Sequence, residues 1–340
     1  MQAPMLSASK LFELFTAHWT SAILASAVEV GVFEHLVRGA ATVDELSVAT
    51  AVPKRSLQAL LDALVALDLV TLTDGVRYEN TAAAATYLIK GAPRYLGAFA
   101  KILTGSGDGG MRQWAMLPTV LRSGQPVAGE TIVRPDSPFW PDLVKALTPL
   151  SCEVASIAAD LLDLARGPAL SVLDVGGGAG AYALTWLPLH PGLRLTQVDW
   201  AAVNGLARES VAACGLGERF FTLDGDLHEV DFGSGRYDVV VLSNICHHES
   251  PAGNVVLLRR IADALAPGGR IVISEFVLDD DRKGPAFAAR FGVGMVLQTP
   301  EGASYRESDY RSWLAETGFE AVRVDRSHEL STLLIAEKRA

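Results

Sequence analysis

Apolar positions along this chain follow two different periods, and the change between them divides it. Over residues 1–90 they recur at helical spacing and then as a small hairpin. "TVDEL" sets Thr42 and Glu45 at capping-box spacing ahead of an apolar stripe, which predicts a helix start. "PKRSLQALLDALVALDLV" opens with Pro53 near a helix N-terminus and puts Leu57, Leu60, Leu61 and Leu64 on one face. "LVTLTDGVRYE" then gives two short β-like runs about a turn at Asp74-Gly75. Helix, turn, helix and a two-stranded wing make a winged-helix pattern for residues 1–100. "YLIKGAPRYLGAFAKILTG" and "MRQWAMLPTVLRSGQ" follow as linking helices, in a region reaching across 101–167, with Met111, Trp114 and Met116 read as core side chains.

From residue 168 to 340 the pattern changes. The strand-like runs "LSVLDV", "LRLTQVD", "RFFTL", "YDVVVLS" and "RIVISEF" alternate with helical stretches such as "AVNGLARESVAAC" and "GNVVLLRRIADAL". That alternation predicts a parallel sheet covered on both faces. Two later runs, "FEAVRVD" and "STLLIAEK", are close enough to form an antiparallel hairpin at its edge.

Composition narrows the function classes. The chain has 340 residues, suiting two domains, and its 49% hydrophobic content supports a sizeable core. A net charge of -10 disfavours a nucleic-acid partner, and the winged helix lacks a cationic recognition face: Lys54 and Arg55 are followed by Asp62 and Asp68. No uninterrupted apolar run reaches the roughly 18–20 residues of a membrane span, and the N-terminus does not read as a signal peptide. Three scattered cysteines, without CxxC, fit a reducing cytoplasm and argue against a disulfide framework or structural zinc.

The strongest local motif is "VLDVGGGAGAYALTWL". Asp174 ends a strand, Gly176, Gly177, Gly178 and Gly180 follow, and a helix begins. Glycines let a backbone approach a ligand closely, but Gly176-x-Gly178-x-x-Ala181 also meets the dinucleotide fingerprint. The rest of the domain separates the readings. Asp199 ends the next strand, where a carboxylate can hold ribose hydroxyls. "LDGDLHEVDF" brings Gly225 and Asp226 to the same edge, where an adenine amino group needs an oxygen acceptor. One nucleoside with a short tail would touch all these points, and no second mononucleotide half is visible.

With these residues in hand, the chain resembles the class I S-adenosylmethionine (SAM)-dependent methyltransferases, more narrowly the caffeic-acid/acetylserotonin type of small-molecule O-methyltransferase. The resemblance covers nearly the whole chain and rests on "DVGGGAG", Asp199, Gly225-Asp226, "ICHH" and "ISEF" at the family's spacing. It implies a Rossmann-like α/β domain with a seven-stranded, mostly parallel sheet, an N-terminal all-helical winged-helix-like dimerisation domain, a homodimer, and SAM as cofactor. It further implies that Gly176 to Gly180 pass beside the methionine part of SAM, that Asp199 binds the ribose, and that Asp226 with Leu227 or His228 flanks the adenine. Ser243 stands where many plant relatives carry a lysine against the SAM carboxylate.

The same resemblance makes His247, after the fourth strand, the catalytic base, and Glu275, at the end of the fifth, its orienting partner. A histidine with pKa near 6.5 can accept a phenolic proton as a new bond forms. His248 replaces the family's usual Asp and is read as facing elsewhere, because consecutive side chains do not easily share a direction. Cys246 is read as strand-end packing. A second orienting carboxylate is missing: in "EGASYRESDY" its place falls on Ser304 or Tyr305. Trp114, Met295 and Gln298 are the candidates for contact with a small aromatic substrate. A metal at His247, His248 and Glu275 is the competing reading, with Gln298 a weak further ligand; C-methylation and loss of methyl transfer are the competing activities.

Overall fold

The computed structural model describes residues 6–104, 110–127 and 139–339. Its contacts divide the chain into two units, Met1–Ala115 and Met116–Ala340.

The first unit contains α1 (Ala8–Glu29), α2 (Val32–Leu36), β1 (Ala41–Thr42), α3 (Val43–Thr50), α4 (Lys54–Ala66), β2 (Val70–Thr73), β3 (Arg77–Asn80), α5 (Ala82–Tyr87), α6 (Ala98–Thr104) and α7 (Met111–Ala115). The Thr42–Glu45 capping box forms at the start of α3, satisfying backbone donors at both of its ends. Pro53 caps α4, whose Leu57, Leu61 and Leu64 are buried. The wing is a three-stranded sheet in the order β1-β3-β2, so β1 adds a strand to the hairpin read from sequence. The two residues of β1 are too few for a period to register. Leu46, Leu57, Leu61, Val70 and Tyr78 meet in one core with Phe33.

Burial corrects one expectation. Trp114 and Met116 are exposed, not core, and α7 buries nothing, because five residues cannot present a full apolar stripe to a layer beneath. α1 buries only Ala27 and leaves Leu11, Phe12, Leu14, Phe15 and Trp19 exposed. By length and composition it is apolar enough to cross a membrane. Its apolar residues still form no uninterrupted run of span length, because Glu13, Thr16 and His18 break them up.

The second unit contains α8 (Leu117–Ser123), α9 (Phe139–Leu161), β4 (Ser171–Val175), α10 (Ala181–Trp186), β5 (Arg194–Asp199), α11 (Ala201–Ala213), β6 (Phe220–Asp224), β7 (Tyr237–Ser243), a 3-10 turn (Cys246–His248), α12 (Pro251–Ala264), β8 (Leu265–Glu275), α13 (Ala286–Gln298), α14 (Glu307–Glu316), β9 (Phe319–Asp325) and β10 (Thr332–Lys338). Seven strands lie in the order β6-β5-β4-β7-β8-β10-β9. The first five are parallel, and β10 runs antiparallel between β8 and β9. Alternation decides the faces: Val239 and Val241 of β7 pack with α9, α10 and α11, while Val240 and Leu242 pack with α12 and α14. Strand order reverses between β4 and β7, so the crevice at their carboxyl ends is where such a sheet binds ligands.

Candidate active site

The crevice is built from strand ends. Beyond β4 the chain turns through Gly176, with φ +72° and its N–H bonded to the Val198 carbonyl at 2.8 Å. A Cβ on Gly176 would lie 2.2 Å from Cδ1 of Ile245, and one on Gly177 would lie 2.6 Å from Oδ2 of Asp174. The loop therefore sits directly on the strand ends below it, which only glycine permits. Asp199 fixes its height: Oδ2 accepts from the Gly178 N–H at 2.9 Å and Oδ1 from the Trp200 N–H at 2.8 Å. Burial pushes the Asp199 carboxyl up to about 6, against those two donors, which favour its charged form. Asp174 is fully buried, and neither of its oxygens has a hydrogen-bond partner among the described residues. Burial, then Asp199, pushes its carboxyl up to about 8.

At β6 the Gly225 N–H bonds to the Asp199 carbonyl at 3.0 Å, drawing the two strand ends together. Asp226 is half-buried and accepts from the His228 N–H at 2.8 Å. Leu227 is half-buried, and its carbonyl accepts from Arg260 of α12. Ser243 ends β7, half-buried beside the Tyr182 phenol. The residues read as cofactor contacts thus stand at four neighbouring strand ends, β6, β5, β4 and β7.

Sequence reading missed what braces them. Asn204, fully buried on α11, donates to the carbonyls of Asp199 and Leu223 and to Asp224 Oδ1, and accepts from Gln197 Nε2. Gln197 Nε2 also donates to the Gly178 carbonyl at 2.9 Å. No motif marks such residues; an amide in an apolar helix stripe was the available signal.

After β7, Asn244 takes a left-handed φ of 57° and the chain enters the 3-10 turn. His247 is 5% exposed and Glu275 1%. His247 Nδ1 lies 2.8 Å from Glu275 Oε2, and the His247 backbone N–H donates to Oε1 at 3.3 Å. A carboxylate only accepts, so in this pair Nδ1 carries a proton and donates it to Glu275. The turn is held from two sides: Asn254 Nδ2 donates to the Cys246 carbonyl at 2.9 Å, and the Ala303 N–H to the His247 carbonyl at 3.0 Å. Ser304 donates to the Ala288 carbonyl and Tyr305 to the Glu249 carbonyl, so neither takes the place of a second carboxylate on His247.

His248 does not face away. Its ring lies 4.3 Å from that of His247, tilted 49°, and edge-on to Trp140 at 5.8 Å. The 3-10 turn brings consecutive side chains closer than strand alternation would. Burial, then the neighbouring His247, holds the His248 imidazole well below its usual range and so uncharged. The thiol of Cys246, fully buried, is pushed up by burial and by Glu275 and Glu249, as packing requires and a nucleophile does not. No group of three or more His, Cys, Asp or Glu side chains placed to hold a metal occurs among the described residues.

Aromatic rings wall the histidine corner. Phe291 meets His247 edge-on at 4.8 Å, and Phe276 lies stacked at 6.1 Å, with Phe287 5.0 Å beyond it. Phe287 and Phe291 stand four apart on α13, a helical pairing legible in "AFAARFGVGMV" but not singled out by sequence reading. On the same helix Met295 is buried and Gln298 half-buried; Trp114 belongs to the first unit.

Comparison with known proteins bears on this arrangement. Residues 152–320 match the model of an O-methyltransferase domain and residues 12–90 that of an O-methyltransferase dimerisation domain. A 3-hydroxy-5-methyl-1-naphthoate 3-O-methyltransferase of Streptomyces sahachiroi is 35% identical over 93% of this chain and 90% of its own. This chain belongs to the O-methyltransferase family. It is a SAM-dependent O-methyltransferase of the secondary-metabolite type, with SAM as cofactor. A candidate O-methyltransferase of Nostoc punctiforme superposes with a TM-score of 0.88 at 27% identity, covering 98% of this chain and 100% of that one. Human N-acetylserotonin methyltransferase in complex with SAM shares the fold, with a TM-score of 0.83 at 24% identity over the full length of both chains. The crevice is chemically compatible with SAM: it has a glycine loop no side chain could occupy, the Asp199 carboxylate at the next strand end, and a buried carboxyl, Asp174, without a hydrogen-bond partner among the described residues.

Proposed function

We propose that this enzyme methylates a hydroxyl of a small aromatic secondary metabolite, with His247 as general base and Glu275 holding it. The observation that carries this reading is the 2.8 Å contact of His247 Nδ1 with Glu275 Oε2, which in the neutral imidazole leaves Nε2 as a lone-pair acceptor at a corner walled by Phe276 and Phe291. Asp174, Gly176, Gly177, Gly178, Asp199, Gly225, Asp226, Leu227 and Ser243 would hold SAM, which supplies an electrophilic methyl carbon when bound.

Three tasks fall to this chain's residues. The phenyl walls orient a planar ring and exclude water, which converts a bimolecular encounter into a positioned one. His247 Nε2 accepts the hydroxyl proton as oxygen becomes nucleophilic, a step contributing about 10²–10⁴ in rate. Glu275 fixes the tautomer and stabilises the imidazolium that results. The naphthoate specificity of the Streptomyces sahachiroi relative supports an aromatic hydroxyl as the methyl acceptor. The exposed apolar side of α1 and the match to a dimerisation domain support a homodimer through the first unit, since a helix apolar on most sides is buried against something.

Single-turnover transfer from labelled SAM to a panel of phenolic aromatics tests the chemistry. His247→Ala is expected to slow transfer by about 10²–10⁴ with SAM affinity retained, His248→Ala to cost far less, and chelator to change nothing. Equal loss at both histidines with chelator sensitivity would establish the metal reading instead, and transfer to carbon acids but no phenol would establish C-methylation. Light scattering that finds the full-length chain monomeric at micromolar concentration would overturn the dimer.

A further inference from the structure

Asp174 is a buried carboxyl that the transfer step does not use. It is 0% exposed, it lies directly beneath the glycine loop, and neither oxygen has a hydrogen-bond partner among the described residues. The groups around it come from every element that packs there. Asp199 of β5 is an anion. Tyr182 of α10 offers a buried phenol near the hydroxyls of Ser243 on β7 and Ser274 on β8. Cys152 of α9 lies near that phenol, and Gln197 of β5 packs by its amide against the same loop. The charge acting on Asp174 is thus of its own sign. A buried carboxylate so placed takes up a proton.

A cation reverses that balance, because an opposite charge within a few ångströms favours the ionised form. SAM carries two positive groups, its sulfonium and its ammonium, both in the methionine part. We propose that Asp174 is a proton-linked cofactor sensor: a neutral acid in the free enzyme, it releases its proton to solvent when SAM binds and becomes the counter-charge of the methyl donor. The inference rests on the placement of the methionine part over Gly176–Gly180 in the reading above. Charge balances: neutral acid and monocationic SAM give a carboxylate–SAM pair and one free proton. Transfer of the methyl group then removes the sulfonium charge. The thioether product faces Asp174 with one positive group fewer, so the carboxylate loses part of its partner and regains a proton as product leaves. The device favours the methyl donor over the spent cofactor without any contact to the methyl group.

The position of this carboxyl, pushed up to about 8 by burial and then by Asp199, sets the working range. Asp199, at about 6, is already largely ionised at pH 7.2 and contributes little there. SAM affinity should therefore rise by nearly tenfold per pH unit from roughly pH 6 to 7, close to the slope of one released proton, and level off towards pH 8 as Asp174 ionises in the free enzyme, while product affinity rises less steeply.

The test is calorimetric titration of the cofactor-free enzyme with SAM at pH 7.2, in buffers of different ionisation enthalpy. Wild type should release close to one proton more than Asp174→Asn; the amino group of SAM titrates in both and cancels in the difference. If Asp174→Asn does not fold, infrared spectroscopy of the wild type supplies the second measurement: a protonated-carboxyl band present in the free enzyme and lost on adding SAM. Equal proton release by both proteins, or no such band in the free enzyme, overturns the proposal. Asp199→Ala separates this failure from failure of the site itself. Weakened SAM binding there, together with equal proton release by wild type and Asp174→Asn, sinks only the sensor, whereas unchanged SAM affinity sinks the placement of the cofactor.

Discussion

Asp174→Asn in the cofactor-free enzyme has a calculable effect on stability. In the unfolded chain this carboxyl titrates near 3.8, and in the folded one burial raises it to about 8. Between those values the folded state holds a proton that the unfolded state has lost, so stability falls as pH rises from about 4 to about 8. Each unit of separation corresponds to about 1.4 kcal/mol, which puts the whole interval at an upper bound of roughly 6 kcal/mol. The asparagine variant keeps the shape and does not titrate. Its own cost, a buried amide without a partner, is independent of pH. The measurable quantity is therefore the gap between the two melting curves as a function of pH. One kcal/mol moves Tm by about 2–4 °C in a domain of this size, so the variant should gain on wild type by about 3–5 °C per pH unit between pH 5 and 8. Asp199, raised in the same direction, is present in both proteins and drops out of the difference. Scanning calorimetry on protein stripped of cofactor provides the curves. Saturating SAM should shrink the gain, because the cation then stabilises the wild-type carboxylate. A gap constant across pH 5–8 would refute the reasoning, since it would mean that Asp174 is ionised in both states.

Two further outcomes follow from the geometry. Glu275→Gln removes the acceptor at Nδ1 and the counter-charge of the imidazolium, so kcat should fall by about 10–10² with SAM affinity unchanged, while Glu275→Asp restores part of it; equal losses in both would reduce Glu275 to a packing role. Gly176→Ala brings a methyl 2.2 Å from Ile245 Cδ1 at a φ of +72°, a conformation costing a side chain about 1–2 kcal/mol, so SAM affinity should drop about tenfold or more, and Ile245→Ala added to it should recover only the steric share.

The sequence determined the parts of this protein that are local. A capping box at Thr42 and Glu45, a leucine stripe on α4 and the apolar strand run "YDVVVLS" each need only a few neighbours to be read, and each appears as expected. The glycine loop, Asp199 and Asp226 could be singled out for a second reason: a sheet whose strand order reverses sends successive strand ends to one crevice, so residues far apart in sequence share an address. His247 and Glu275 were singled out by the family resemblance alone, and the fold sets them 2.8 Å apart. Tertiary structure decided what local pattern cannot carry. His248 was expected to face elsewhere, but a 3-10 turn in place of extended chain keeps its ring against His247. Trp114 and Met116 had core-like chemistry and are exposed, because burial depends on having a layer to pack against and not on residue type. Asn204 and Gln197 look like ordinary amides until folding closes water off and leaves them each other and the strand-end carbonyls to bond. The charge state of Asp174 is of the same kind: the motif supplies the carboxyl, but only the surrounding fold, by excluding water and setting a second carboxyl beside it, decides whether that carboxyl holds a proton.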